Sequence, residues 1–331
     1  MKSKFILAVA LALATSATAA FADWKPEKPI TIIVPYPPGG VTDLAVRAVA
    51  ADLEPALEQK LVVVNQPGAN GSVGTQAVMD APKDGYTWLS GGVRDIGTYK
   101  VMGMLDTTFA DWNPFIIASM SSLLSVNPDV GIMTVEEFIE RVKTEGDKFL
   151  IATAGPNSSG GQGLAAIAVA AGIKPNQIVY DGGNPAILAT VSGEAQATTQ
   201  LALEQAEMIR AGRLKPLAAI GTTEIKLGDL AIQPITAQLP NLPPAENFVG
   251  IYLPAGVPQE VIDKLESVWT KTLSDSQGLN QLCTSRGCGV KPVSGAEAKA
   301  AANPAIAAAA WGLYDRGDAK MSPDELGIKR P

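Results

Sequence analysis

Histidine is absent from this 331-residue chain. Every catalytic triad or metal cluster built on imidazole is therefore excluded, and so is the side chain that most often changes charge near neutral pH. Cysteine is scarce. Cys283 and Cys288, in Cys-Thr-Ser-Arg-Gly-Cys, are the two in the chain. A zinc site would need more ligands than that, and neither a metal nor a cofactor is expected. Aromatic residues make up 5% of the sequence. Beyond the first 22 residues, no apolar run approaches the roughly 20 residues that span a bilayer, so no membrane insertion is expected. Basic groups are the minority, 26 against 33 acidic ones. Such a balance leaves no electrostatic footprint for nucleic acid or anionic lipid, and any anionic ligand has to be held by local geometry.

The first 22 residues read as a secretion signal. Lys2 and Lys4 give the positive start, Phe5 to Ala14 is unbroken apolar sequence, and Ala20-Phe21-Ala22 fits the small-residue cleavage rule. The mature chain is expected to begin at Asp23 in the periplasm, without a lipid anchor, since no cysteine lies near the cleavage site. It exceeds what one hydrophobic core usually serves, so two domains are expected. In that oxidising compartment Cys283 and Cys288 are expected to form a structural disulfide, distant from any cleft.

From residue 29 the chain alternates short β-rich runs with helical stretches. Pro29-Ile-Thr-Ile-Ile-Val34, Leu61-Val-Val-Val64 and Tyr86-Thr-Trp-Leu89 read as strands, followed by the loops 35–40, 67–72 and 90–92. Helices are expected at 44–57 and 73–80. The theme repeats with strands at 148–153, 177–180 and 217–220 and helices at 162–171 and 186–191. The tail reads as helical from Gln259, and Pro304 is expected to break the helix over 296–311. Two series of strand–loop–helix units imply parallel sheets covered on both faces and two Rossmann-like lobes, an α/β fold.

Glycine and proline gather just after strands and before helices, where ligands sit in open α/β sheets. Those loops, at 35–40, 67–74, 90–92, 154–161 and 181–185, contain no lysine or arginine. Backbone amides at helix starts, with Thr42, Asn157, Ser158 and Ser159, can bind a carboxylate there. Nucleotide motifs do not fit: Gly68-x-x-Gly71-x-x-Gly74 has the wrong spacing for a dinucleotide fingerprint, and no phosphate-loop pattern occurs. No nucleophile elbow or serine–lysine pair accompanies the cleft serines. Gln200, Glu204 and Glu207 read as a solvated helix face. Arg94 and Asp95 read as a surface ion pair at least as readily as cleft residues.

Further motifs point to a family. Pro29-Ile-Thr-Ile-Ile-Val-Pro-Tyr-Pro-Pro-Gly-Gly-Val-Thr-Asp43, Val62-Val-Val-Asn-Gln-Pro-Gly-Ala-Asn-Gly71, Asp84-Gly-Tyr-Thr87, Tyr180-Asp-Gly-Gly183, Ile209-Arg-Ala-Gly-Arg-Leu-Lys-Pro-Leu-Ala218 and Tyr252-Leu-Pro-Ala-Gly-Val-Pro258 occur in that order. Together they resemble the extracytoplasmic receptors of tripartite tricarboxylate transporters, the Bug-type receptors, over nearly the whole mature chain. The resemblance implies a type II periplasmic-binding-protein fold with two hinge crossings. It implies that Pro38, Gly39, Gly40, Thr42 and Asp43 form one wall of a ligand site, and that Gly155 to Ser159 with Gly182 and Gly183 form the other. It also implies a two-subunit membrane permease, driven by an ion gradient, as partner. One departure stands out: where members often carry an aspartate after the glycine matching Gly193, on the strand entering the cleft, this chain has Thr198, Thr199 and Gln200, which are expected to offer uncharged hydrogen bonds there instead.

The expected function is capture of a small carboxylate, aliphatic and di- or tricarboxylic because Tyr36 is the main aromatic in the loops. Tyr36, Gly91 and Thr199 complete the expected ligand contacts, and the backbone amides of Gly39 and Gly40 are expected to hold the ligand carboxylate. The lobes are expected at 24–123 with 250–331, and at 124–249, and the protein is expected to be a monomer and not an enzyme. Two alternatives belong to other classes: a periplasmic ligand sensor docking on a membrane sensor kinase, and a hydrolase or isomerase using cleft serine and aspartate.

Overall fold

A computed structural model describes residues 24–156, 158–222, 224–242 and 247–330; the expected signal segment lies outside them. The chain opens with β1 (Ile30–Val34), α1 (Val41–Leu57), β2 (Leu61–Asn65), α2 (Ser72–Asp80), β3 (Thr87–Gly92), α3 (Val93–Thr98) and β4 (Trp112–Met120). It continues through β5 (Ser122–Val126), α4 (Val135–Glu145), β6 (Leu150–Thr153), α5 (Ser159–Ala171), β7 (Asn176–Val179), α6 (Gly183–Ser192), β8 (Ala197–Thr198), α7 (Ala202–Arg210) and β9 (Lys215–Ile220). A small hairpin, β10 (Ile225–Leu227) and β11 (Leu230–Ile232), precedes β12 (Asn247–Pro254), α8 (Gln259–Ser274), α9 (Gln277–Arg286), β13 (Cys288–Ser294) and α10 (Gly295–Asp315).

Two separate sheets result. The first runs β13-β4-β12-β3-β1-β2 and the second β7-β6-β8-β5-β9. Strand β4 ends the first pass through sheet one at Met120, and β5 enters sheet two at Ser122. The return brings β12 into the middle of sheet one, between β3 and β4. Each sheet keeps a parallel core, β2-β1-β3 in one and β7-β6-β8 in the other. The all-parallel expectation is corrected by β4, β12 and β13, and by β5, which pair antiparallel. A parallel neighbour needs a crossover of a dozen or more residues. Strands entering from the other unit need none.

The cores follow the sheets. Ile30, Ile32 and Val34 alternate with Val49 and Leu53 of α1 beneath Trp88, Phe115 and Trp269, all essentially unexposed. Phe115 and Trp269 meet edge to face at 5.2 Å, and Trp269 donates its indole N–H to the Ile116 carbonyl at 2.9 Å. The second unit packs Phe138 on Phe149 with ring centroids 5.8 Å apart. Among the described residues no helix is long and apolar enough to cross a membrane.

Two local expectations are corrected. Pro304 sits inside α10 without ending it. A mid-helix proline costs about 3 kcal/mol, and here the buried face through Ala298, Ala302, Ile306 and Ala310 outweighs it. Ile306 is seated against Gly97 of α3 so closely that a β-carbon there would fall 2.6 Å away. Second, Ser90-Gly-Gly92 is the end of β3, with Gly91 paired to Gly250.

Cys283 and Cys288 are disulfide-bonded, joining the end of α9 to the start of β13. Cys288 stands opposite Met120, one strand from the ligand cleft described below, closer than expected. The bond closes a loop of five residues' separation, for which the chain-entropy model gives about 2 kcal/mol. Replacing both cysteines with serine should lower the urea-unfolding free energy by about that amount; an unchanged midpoint would show that the bond contributes no stability.

Candidate functional site

Strands β1, β3, β6, β7 and β8 are each followed by a helix, so α1, α3, α5, α6 and α7 all begin at carboxyl ends of strands. Their first turns converge on a cavity of about 50 Å³ between the two units. Gly40 and Thr42 come from the start of α1, Asp95 from α3, Ser158 and Ser159 from α5, Gly183 and Asn184 from α6, and Glu204 from α7. Tyr36, Gln200 and Asn247 close the remaining sides. Each helix start carries up to about half a positive charge on unpaired N–H groups. Among the described residues, no lysine or arginine lines the cavity.

Three of its side chains are almost fully buried yet hold an atom that no described residue satisfies: Thr42 Oγ1, Gln200 Nε2 and Asp95 Oδ1. A buried polar atom without a partner costs roughly 1–3 kcal/mol, so a cluster of them in one cavity marks where a polar ligand belongs. The Asp95 carboxylate accepts from the Tyr36 hydroxyl at 3.1 Å through its other oxygen. Burial pushes the Asp95 carboxyl up to about 7; the Tyr36 hydrogen bond and the neighbouring Arg94 guanidinium pull it down, and the Glu204 charge raises it further. Burial also lowers Arg94, to about 10.

The expected contacts divide into two groups. Tyr36, Gly40, Thr42, Ser158, Ser159 and Gly183 line the cavity. Pro38, Gly39, Asp43, Gly91, Gly155, Gly182 and Thr199 are not on its wall, and Asn157 lies outside the described residues. Asp43 turns into its own unit, where its carboxylate accepts from Gly39 N–H at 2.9 Å, Arg47 at 2.8 Å and Asn65 at 3.0 Å. That interaction consumes the Gly39 amide, and the Gly40 amide lies 3.4 Å from the Pro37 carbonyl. Neither amide is therefore the ready anion donor expected of it; Asp43 positions the loop. Thr199 donates its hydroxyl to the Gly160 carbonyl at 2.7 Å.

Gly39, Gly155 and Gly182 have a different use. A β-carbon on them would fall 3.0 Å from Asn184 Nδ2, 2.8 Å from Asn70 Oδ1 and 3.0 Å from Pro37 Cδ, in each case an atom of the opposite unit. All three have positive φ. They let the two loop sets touch rather than let backbone meet ligand. Asn184 Nδ2 to the Pro38 carbonyl, at 3.4 Å, and Asn247 to Ser159 bridge the same gap.

Asn184, Glu204 and Asn247 are the polar wall residues that sequence reasoning missed or assigned elsewhere, while Asp95 and Gln200 were left open between cleft and surface. Gln200 and Glu204 face the cavity rather than solvent, while Glu207 is exposed as expected. Arg94 and Asp95 are buried, not a surface pair. A usable signal existed: Asp95 and Glu204 each sit in the first turn of a helix that follows a strand. Asn247 has no local signal, since its strand enters from the far end of the sequence.

A family model for the receptor of tripartite tricarboxylate transporters matches residues 45–301. A protein encoded in the tcbD-tcbE intergenic region of Pseudomonas sp. strain P51 is 28% identical over 304 residues, covering 89% of this chain and 88% of its own. The periplasmic binding protein BugD superposes with a TM-score of 0.78 at 23% identity, over 89% of this chain and all of its own length. MatC from Rhodopseudomonas palustris, solved with bound malate, gives 0.74 at 22% identity, over 88% and 99% of the two chains. The fold is thus the two-lobed periplasmic-binding-protein fold.

Asp95 generates a pH-dependent stability. Its carboxyl holds a proton in the folded state up to about pH 7, whereas an unfolded aspartate releases it near pH 4. The stability it contributes is full below about pH 4 and is lost as pH rises through about 7. Between pH 5 and 8, ligand-free wild type should therefore lose on the order of 2 kcal/mol relative to Asp95→Asn. Urea titrations at both pH values check this; parallel pH profiles for the two proteins would contradict it.

Proposed function

This chain belongs to the receptor family of the tripartite tricarboxylate transporters, and from that premise we propose that it closes over a small carboxylate in the periplasm and delivers it to a two-subunit, ion-driven permease. The observation that carries the reading is the cavity itself. Five helix starts aim at it, no cation among the described residues lines it, and three buried polar atoms await a partner. Thr42 Oγ1 and Gln200 Nε2 supply donors from opposite units, and the first turn of α5 lies beside them. Charge-assisted hydrogen bonds contribute roughly 1.5–3 kcal/mol each. A few of them, desolvated together, reach micromolar affinity against the ordering cost of binding.

Size supports a small ligand. About 50 Å³ corresponds to roughly three or four water centres, which favours a small ligand over a large one. MatC, solved with malate, gives the same fold a small carboxylate. We place the lobe division at Ser121 and just before Asn247, where the chain changes sheet, so that two connections allow the lobes to part. Binding is favoured over catalysis because the cleft hydroxyls serve structural bonds. Ser158 caps α5, donating to the Gly155 carbonyl at 2.7 Å and accepting from Gly161 N–H at 3.1 Å. Ser159 is tied to Asn247. Neither is activated by a base.

A thermal-shift screen of short carboxylates should raise the melting temperature with at least one of them, since a ligand that binds the folded state alone stabilises it. Thr42→Val and Gln200→Leu should each weaken that ligand about tenfold or more, while the ligand-free melting temperature stays level or rises because an unsatisfied buried atom is gone. A receptor that answers to no carboxylate, or variants that bind as well as wild type, would refute the proposal.

A further inference from the structure

We infer that Glu204 occupies the place of a ligand carboxylate at the facing starts of α1 and α6 and, with Asp95, makes the cleft prefer a carboxylate that carries an ammonium group over a dicarboxylate. The inference rests on reading the cleft as a carboxylate receptor. It begins with two helix starts that lack a side-chain cap: α1 after Gly40 and α6 after Gly182. They belong to opposite units and face each other across the cavity. A helix start without a cap is where an anion settles.

In this protein the anion is its own. A β-carbon on Gly183 would fall 2.6 Å from Glu204 Cδ, and one on Gly40 would fall 3.6 Å from Glu204 Oε1. The Glu204 carboxylate therefore lies against the first residue of α6 and the cap residue of α1 at once. Both positions are glycine, and a side chain on Gly183 would drive Glu204 out. What remains for a ligand is uneven. Thr42 and Gln200 offer unsatisfied donors, enough for one carboxylate, whereas Asp95 Oδ1 is an unsatisfied acceptor.

Charge decides between ligand classes. A dicarboxylate brings a second negative group into a small cavity that already holds Glu204 and Asp95 and has no lysine or arginine on its wall. Arg94 lies beside Asp95 and offsets part of one charge, but the Glu204 charge raises the cost of ionising Asp95. Carboxylates that approach like charges in a low-dielectric cleft repel strongly. An ammonium in the same position meets the Glu204 carboxylate and favours the ionised form of Asp95, and its hydrogen bonds to them are of the stronger, charge-assisted kind. A short amino-carboxylate thus matches both ends of the cavity, with its carboxylate on Thr42 and Gln200 and its ammonium toward Glu204 and Asp95.

The test is calorimetry on the full mature protein at neutral pH, with short amino-carboxylates, unsubstituted monocarboxylates and dicarboxylates of matched chain length. Wild type should bind an amino-carboxylate at least about tenfold tighter than the matched dicarboxylate, a difference of about 1.4 kcal/mol. Glu204→Gln keeps the size and removes the charge, and should shift that ratio about tenfold toward the dicarboxylate. Asp95→Asn should shift it the same way, which covers the case in which Glu204→Gln does not fold. A wild type that prefers dicarboxylates, or a ratio unmoved in folded variants, would overturn the inference while leaving the carboxylate receptor standing. Failure of every carboxylate to bind would remove the receptor reading and the inference together.

Discussion

The arrangement on which the rest depends is the convergence of five helix starts on one gap between two sheets. It follows from connectivity. A strand in the parallel core of each sheet hands the chain to a helix, and that helix must begin at the strand's carboxyl edge. When two such sheets face each other, their helix starts concentrate partial positive charge in a gap lined by neither lysine nor arginine. A field made of backbone dipoles is fixed in direction and already in place before ligand arrives. Such a site holds an anion without a mobile cationic side chain that would have to be ordered on binding.

That field also explains the acids in the gap. Asp95 and Glu204 occupy first turns, where negative charge is favoured. Buried carboxylates elsewhere would be costly, but here the helix starts and the Tyr36 hydroxyl compensate them in part. The residual imbalance is visible in Asp95, whose carboxyl burial raises to about 7. Asp43 solves a related problem one layer back. Buried at 3% exposure, it gathers Gly39, Arg47 and Asn65 and fixes the shape of the loop that leads into α1.

At the cleft the contacts between the units are polar and glycine-mediated, whereas behind it Gly287, after α9, sits against Ile225, Leu227 and Ala202, and Arg286 pairs with Glu207. Asn184 to Pro38, Asn247 to Ser159 and the close approach of Asn70 to Gly155 join the loops without an apolar seal. The large aromatic side chains stay within their own cores, Phe115 with Trp269 in one and Phe138 with Phe149 in the other.

The sequence by itself determined the units and their order. Continuous apolar runs such as Ile30 to Val34, glycine-rich loops and amphipathic helices are local patterns, and the strands β1, β2, β6 and β7 fall within two residues of the runs that encode them. It also determined that the cleft would lack histidine chemistry. The tertiary structure alone decided which loop atoms reach the cavity. Gly39 looked like an anion donor, but Asp43, four residues on, takes its amide. Gly91 looked like a loop residue, but β12, arriving from more than 150 residues away, pairs with it inside the sheet. Pro304 looked like a helix end, but packing against α3 carries the helix through it. Glu204 looked solvated because its helix has a polar exposed face, and only the approach of α1 from the other unit turns that carboxylate into part of the site. In each case a local preference worth at most a few kcal/mol is overruled by a long-range contact that no window of neighbouring residues contains.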